Sequence, residues 1–187
     1  MKYPETIENL ITCYKRLPGV GHKTAERMAL ATLKMDDEMV ALFADSLINS
    51  KEKLKKCHLC NNITEKTECF VCSDHSREKK TLCIVEDAKK IIMLEKLNVF
   101  KGLYHIIEEP VSPMIGNERI EKENIEELIF ALKLTIEGET TMAYITRLVG
   151  DRDIKITKIA QGVPHGADID YIDNFTLEKA FEERKQL

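Results

Sequence analysis

Four cysteines in two closely spaced pairs constrain the fold of this chain more than any other feature. They follow the pattern Cys57-x2-Cys60-x8-Cys69-x2-Cys72. Two such turns can present four thiolates as a tetrahedron, which is the arrangement that Zn²⁺ prefers in structural sites. Because four protein ligands leave no position for water, we predict one structural rather than catalytic Zn²⁺ per chain. The alternative is a set of free thiols or a redox pair.

The residues next to these cysteines fit a metal site. Asn61 and Asn62 follow the first pair directly, and asparagine suits a tight turn. The connector ITEKTE is polar and can fold back as a small hairpin. His58 lies inside the first pair, so we do not expect it to be a ligand when four thiols are present.

The sequence also indicates the compartment. The first ten residues contain acids and no apolar run, and no stretch approaches the ~20 apolar residues of a membrane helix. We therefore expect no export signal and a reducing, cytoplasmic location, where clustered thiols hold metal. The two remaining cysteines, Cys13 and Cys83, lie in apolar surroundings, and we predict that both are core residues.

Hydrophobic periodicity predicts three helices, then the cysteine pairs, then alternating strands and helices. The predicted helices cover residues 5–16, 23–33, 36–48, 87–97, 139–149 and 176 onward, and the predicted strands cover 81–85, 103–107 and 154–160. The third helix carries an apolar stripe from Val40 to Ile48, whereas residues 125–132 fit either a helix or a strand. The alternation indicates an α/β fold with a mainly parallel sheet covered by helices.

Charge is distributed unevenly along the chain. The net charge is -4, but residues 1–80 carry 14 Lys and Arg against 12 Asp and Glu, whereas residues 81–187 carry 14 against 20. An acidic chain does not bind nucleic acid through its overall charge. Any such binding requires a local basic patch, and the N-terminal half is the place to look for it.

A glycine-containing loop, residues 17–21 (LPGVG), lies between the first two predicted helices. Gly19 and Gly21 allow its backbone to approach another molecule closely, and the N–H groups at the start of the next helix can bind a phosphate. Lys23 and Arg27 are four residues apart and share a helix face, and Arg16 precedes the loop. This pattern predicts a contact to the nucleic-acid backbone that does not depend on base sequence.

Two other interpretations of this loop are weaker. The residues GHKT at 21–24 faintly resemble the end of a nucleotide-binding P-loop. A P-loop, however, has its lysine directly after the last glycine and a strand before the loop, whereas here His22 intervenes and a helix precedes. The remaining alternative is an ordinary turn between two helices with solvated charges.

Three glutamates form a second candidate site. Glu86 ends a predicted buried strand, and Glu137 and Glu139 lie at the start of a predicted helix. Ligand sites in α/β sheets gather at the carboxyl ends of strands, and carboxylates that meet there can hold Mg²⁺. The alternative is that the acids at the helix start only offset the helix dipole.

Taken together, these segments resemble the RecR family of bacterial recombination mediator proteins. The resemblance covers nearly the whole chain. It rests on the loop at 17–21 with residues 23–29, the four-cysteine spacing, the strand 82–86, and the segments 111–113, 135–139, 162–164 and 166–168. The order and spacing of these segments within one short chain are specific, although each motif alone occurs widely.

The resemblance implies a fold in four parts. These are a helical helix-hairpin-helix region for DNA binding at 1–54, a four-cysteine zinc finger at 55–79, a Toprim-like α/β domain with a mainly parallel sheet at 80–175, and a C-terminal helix at 176–187. Glu86 takes the position of the Toprim glutamate. In Toprim enzymes this glutamate acts with an Asp-x-Asp pair to bind Mg²⁺. The pairs at 151–153 and 168–170 have that spacing but adjoin the wrong elements.

The resemblance further implies a protein that is not an enzyme. Members of the family act with RecO, and in some settings RecF, to help load RecA onto gapped single-stranded DNA. They form dimers and ring-like tetramers that can encircle DNA, and their helix-hairpin-helix contacts fall here on Lys23 and Arg27. The alternatives are a Toprim metal-dependent nuclease or related phosphoryl-transfer enzyme, and a protein-interaction adaptor.

This chain departs from the family pattern in three places. The segment between Pro113 and Glu137 is shorter than usual. Residues 133–135 are Lys-Leu-Thr where the family has Asn-Pro-Thr, and the terminal Gly-Arg of many relatives is absent. These departures fall on the Toprim-like part and the C-terminus, so they affect the expected partner surface and leave the N-terminal half unchanged.

Overall fold

The structure, a computed structural model, describes residues 3–107, 119–120, 123–133, 135–150, 152–160 and 162–184. The chain divides into two compact units, Met1–Leu54 and Lys55–Leu187. None of the helices in these described ranges has the length and apolar character needed to span a bilayer.

The N-terminal unit consists of the helices α1 (Glu5–Lys15), α2 (His22–Thr32) and α3 (Asp37–Lys53). Its small core lies between α1 and α2, where Ile11 packs against Ala25 and Ala29. Alanine at both positions lets the two helices approach each other closely. The Tyr14 hydroxyl lies 2.7 Å from Oγ1 of Thr32 and adds a hydrogen bond. These contacts hold α1 and α2 together on either side of the loop that connects them.

Helix α3 exposes its apolar residues. It begins after Asp36, whose carboxylate accepts a hydrogen bond from the backbone N–H of Met39 at 2.7 Å, as an N-cap residue does. No residue of α3, all of which the structure describes, is buried. Phe43 and Leu47, within the predicted stripe, are 43% and 56% exposed. A continuous exposed apolar stripe is typical of a surface that another molecule covers.

The C-terminal unit is built on a parallel sheet. A short antiparallel pair, β1 (Lys55–Lys56) and β2 (Ile63–Thr64), comes first. The strands β3 (Thr81–Val85), β4 (Leu103–Ile106), β5 (Glu127–Ala131) and β6 (Lys155–Lys158) follow, and they pair in the order β4-β3-β5-β6. All three pairings in this sheet are parallel. The predicted mainly parallel sheet is therefore confirmed.

Helices cover both faces of this sheet. Successive residues of a strand point to opposite faces. Leu82 and Ile84 of β3 face a core that is covered by α5 (Ile136–Val149). Cys83 and Val85 face a second core that is covered by α4 (Ala88–Leu97) and by the paired cysteines. A 3-10 turn (Ile169–Tyr171) and α6 (Asn174–Glu182) complete the described chain, and the α/β fold class is confirmed.

At three places the structure corrects a sequence prediction or decides between two alternatives. The ambiguous segment 125–132 contains β5, an inner strand with both faces near the core, so its apolar run lacks the alternation of an edge strand. Helix α5 begins at Ile136, before the predicted start, because Oγ1 of Thr135 accepts from the N–H of Gly138 at 3.2 Å. The prediction that Cys13 is a core residue is wrong. Cys13 is exposed on α1, two residues from buried Ile11 and therefore on the opposite helix face.

Candidate metal centre and nucleic-acid interface

The four paired cysteines come together in one group. Their Sγ atoms all lie within 4.8 Å of one another. Cys57, Cys60 and Cys69 are buried and Cys72 is half-buried. Across the described ranges, this is the one set of three or more cysteine, histidine, aspartate or glutamate side chains that is close enough to hold a metal ion.

Local turns present the cysteines. In the first pair, the N–H of Cys57 donates to the carbonyl of Asn62 at 2.7 Å, and the N–H of Asn61 donates back to the carbonyl of Cys57 at 2.9 Å. Asn61 adopts a left-handed backbone with φ of 62°, which asparagine tolerates better than most residues. In the second pair, the N–H of Cys69 lies 3.4 Å from Sγ of Cys57. The predicted turn residues therefore shape the first pair.

The sulfur geometry fits a tetrahedral zinc ion. A Zn–S bond of about 2.3 Å places tetrahedral sulfurs about 3.8 Å apart, and Sγ of Cys60 lies 3.5 Å from Sγ of Cys69. Without a cation the thiols compete for protons. The hydrogen bond between these two sulfurs raises the pKa of Cys60 and lowers the pKa of Cys69. A divalent cation removes this competition for protons because it favours the thiolate form of every ligand.

The cysteine group is joined to the edge of the sheet. The N–H of Ile106 in β4 donates to the carbonyl of Cys60 at 2.9 Å, and Nδ2 of Asn61 donates to the carbonyl of Ile106 at 3.2 Å. Buried Cys57, Cys60 and Cys69 share one hydrophobic core with Cys83 and Tyr104. Loss of the cysteine arrangement would therefore open part of the core beneath β3 and β4.

The loop between α1 and α2 is an exposed turn. Gly19 has φ of 80°, the left-handed conformation that favours glycine, and Gly21 is the N-cap of α2. A Cβ atom at either position would meet no atom within 4 Å. Space around both glycines is therefore open, and an approaching molecule could reach the loop backbone and the first N–H groups of α2.

Exposed cations surround this loop. Lys23, Arg27 and Arg16 are all exposed, and Lys23 and Arg27 line one shallow pocket on α2. No other described side chain forms an ion pair with Lys23 or Arg27. Glu26, the one acid of α2, lines the same pocket and accepts a hydrogen bond from the Tyr3 hydroxyl at 2.5 Å. The two cations are thus available to an external anion.

Lysines surround the strand-end glutamate. Glu86 lies 3.0 Å from Nζ of Lys90 and 3.4 Å from Nζ of Lys133, and it accepts a hydrogen bond from the backbone N–H of Lys133. Partial burial raises the pKa of Glu86, but this hydrogen bond and the two lysines outweigh burial and hold the pKa below its ordinary value. Glu86 is therefore an ionised carboxylate whose charge is already matched by neighbouring cations.

The other acidic residues are more scattered. Glu86 and Glu137 line one cavity of about 350 Å³ at the start of α5. Glu139 is exposed on the first turn of the same helix, and no described ligand atoms group these three glutamates as a metal site. Of the Asp-x-Asp pairs, Asp151 lies outside the described residues, and Asp168 accepts a hydrogen bond from the N–H of Asp170 at 3.2 Å.

Of the other segments that carry the resemblance, some lie within the residues that the structure describes and some lie outside them. Residues 111–113 and Leu134 lie outside the described residues. Residues 162–164 and 166–168 precede the 3-10 turn and contribute to a cavity of about 600 Å³ between α4, β5 and α6. Sequence reasoning missed Arg119, which is buried against the cysteine group. It missed this residue because a single arginine outside any recognised motif carries no periodic or spacing signal.

Known proteins match this chain in the same order as its structural parts. Residues 7–51 match a family model described as RecR, helix-hairpin-helix, residues 80–160 match the Toprim domain, and residues 162–185 match RecR, C-terminal. Proteins named "Recombination protein RecR" from the Staphylococcus aureus strains MRSA252, JH9 and Newman are each 41% identical over 198 aligned positions, and the alignment covers all of both chains. On this full-length similarity, the chain belongs to the RecR family of recombination proteins.

Proposed function

We propose that this protein is a DNA-binding recombination mediator that acts in DNA repair without catalysing a reaction. The observation that carries this proposal is the exposed pair Lys23 and Arg27, free of acidic partners among the described side chains, beside an open loop at 17–21. With Arg16, these groups suit a strand of phosphates, which they would bind without reading bases. As implied by the resemblance, the partners are RecO and, in some settings, RecF, and the outcome is assistance in loading RecA onto gapped single-stranded DNA.

The proposed assembly is a homodimer or a ring-like homotetramer. Its support is the exposed apolar stripe of α3, which would be costly to leave in water and which a second copy could cover. Several copies would also multiply the phosphate contacts, because each chain contributes one loop and its cations. A ring of such loops suits a clamp around DNA.

The proposed cofactor is one Zn²⁺ held by Cys57, Cys60, Cys69 and Cys72. The four sulfurs approach the spacing of a tetrahedral site and occupy all four positions, so the ion would supply structural cross-linking and no reactive water.

The domain boundaries at residues 54, 79 and 175 remain a prediction. The proposed location is the reducing cytoplasm of a bacterium, where cysteines stay reduced and able to bind a metal ion.

We expect DNA binding and assembly to be observed together. In a titration with labelled single-stranded and duplex DNA, log K should fall linearly with log salt, with a slope of about -0.7 to -0.9 for each phosphate neutralised. Solution mass measured in parallel should be 43 or 86 kDa, which is two or four times 21.5 kDa. An assembled protein that binds partner proteins but no DNA at low salt would instead support the adaptor.

The second candidate function is a metal-dependent nuclease, because Glu86 and Glu137 line one cavity. Two-metal chemistry needs several carboxylates at one site, whereas Glu86 is paired with Lys90 and Lys133. We therefore expect labelled DNA to remain intact when it is incubated with the pure protein and Mg²⁺. Cleavage that is abolished by Glu86→Gln, and retained in a Glu123→Gln control, would favour the enzyme.

A further inference from the structure

Arg119 is a buried cation beside the cysteine group. Only 5% of the residue is exposed. Its Nη1 donates to the carbonyl of Leu59 at 2.9 Å and to the carbonyl of Tyr104 at 3.0 Å, and its Nη2 lies 3.4 Å from Sγ of Cys72. A single side chain therefore contacts the first cysteine pair, the second cysteine pair and β4.

The charge of Arg119 requires a partner. Burying a guanidinium is costly unless an anion or several hydrogen bonds compensate it. Within the described part of the chain, no carboxylate forms an ion pair with Arg119, and Sγ of Cys72 is the one contacting atom that can carry a full negative charge. The structure thus places the positive charge of Arg119 directly against one of the four cysteine sulfurs.

A zinc centre with four cysteines requires, in turn, a positive charge nearby. Zn²⁺ with four thiolates carries a net charge of -2, and three of these four cysteines are buried. Groups in contact with metal ligands stabilise their charge and orientation, and their loss weakens metal binding. Arg119 meets this requirement because it offers a positive charge to Cys72 while two carbonyls fix the plane of its guanidinium.

We propose that Arg119 is a positioning residue for the metal centre, where its guanidinium offsets the charge of the four thiolates and fastens both cysteine pairs to β4. The inference rests on the proposed zinc site. It explains how a buried arginine and a buried anionic centre can coexist in one core, because each reduces the cost of burying the other.

The test compares zinc release between matched variants of the full chain. Purified protein is first analysed for metal content, and release to a colorimetric chelator is then timed. Arg119→Met removes the charge and keeps most of the volume, and we expect release about 10- to 100-fold faster than in the unmodified protein. Arg119→Lys keeps the charge but not the planar fork, and its release rate should fall between the two.

Arg77→Met is the matched control. Arg77 is a half-buried arginine whose side chain is only 9% exposed; it binds Glu95 and the carbonyl of Gly102, and none of its described hydrogen bonds or ion pairs involves a cysteine. Its removal should lower the melting temperature and leave zinc release unchanged. If Arg119→Met does not fold, Arg119→Gln replaces it as the neutral variant.

Two results would overturn the inference, and they are distinguishable. If the unmodified protein holds one zinc and the neutral variant releases it no faster than the unmodified protein or no faster than Arg119→Lys, Arg119 does not act through its charge on the metal centre. If the unmodified protein holds no zinc, the proposed metal site itself fails, and the inference fails with it.

Discussion

Replacing Cys57 with serine, or removing metal with a chelator, is expected to destabilise the C-terminal unit by roughly 4 kcal/mol or more. The physical reason is that metal binding and folding are linked, because the tetrahedron of sulfurs forms only in the folded chain. Cys57 is fully buried in the core that also contains Cys83 and Tyr104. The loss is large against a total stability that is typically about 5–15 kcal/mol.

Denaturant unfolding of zinc-loaded and chelated protein, together with elemental analysis, measures this effect. Cys13→Ser is the matched control, because Cys13 is exposed and lies outside the cysteine group. This control should unfold like the unmodified protein and retain its zinc. A single intact unfolding transition in protein that contains no metal would contradict the prediction.

Replacing both Lys23 and Arg27 with alanine is expected to weaken DNA binding at least tenfold at low salt. Each hydrogen bond to a charged group contributes about 1.5–3 kcal/mol, and the substitution acts in every copy of an assembly. The salt slope should also become shallower by about 0.7–0.9 for each phosphate that the variant no longer neutralises. Folding should be unchanged because both side chains are exposed.

Lys89→Ala with Lys96→Ala is the control for this pair. These lysines are exposed on α4 of the other unit, and their removal changes the net charge by the same amount. If the control and the Lys23/Arg27 variant lose affinity equally, the effect is one of overall charge. If neither the affinity nor the salt slope of the Lys23/Arg27 variant changes, the proposed interface is wrong.

Much of the fold could be predicted from short-range patterns. The strand at 81–85 is visible as an apolar run between polar residues, and the structure places β3 at those residues. The start of α3 is visible in Asp36, which caps it. Such features depend on neighbouring residues, so spacing alone indicates them. The prediction for Cys13 is wrong because apolar neighbours in sequence do not show which side of a helix a residue occupies.

The apolar stripe of α3 shows a second limit on what can be predicted from the sequence. Its helical spacing is correctly predicted, but periodicity does not tell whether a stripe packs within its own chain or faces outward. In the structure Phe43, Leu47 and Ile48 are exposed. The core of this unit forms elsewhere, between Ile11 and the two buried alanines of α2. Small residues make that packing possible, and they give little hydrophobic signal.

The four-cysteine group and the glycine loop follow from local sequence, because each is made by residues a few positions apart whose turns fix their geometry. The neighbours of these sites depend on how the chain folds over longer distances. The neighbouring parallel strands β3 and β5 bring Glu86 to Lys133, and packing between distant segments brings Arg119 to Leu59 and Cys72. These contacts join residues about 47 to 60 positions apart, so no local spacing could indicate that the strand-end glutamate is matched by lysines or that an arginine lies against Cys72.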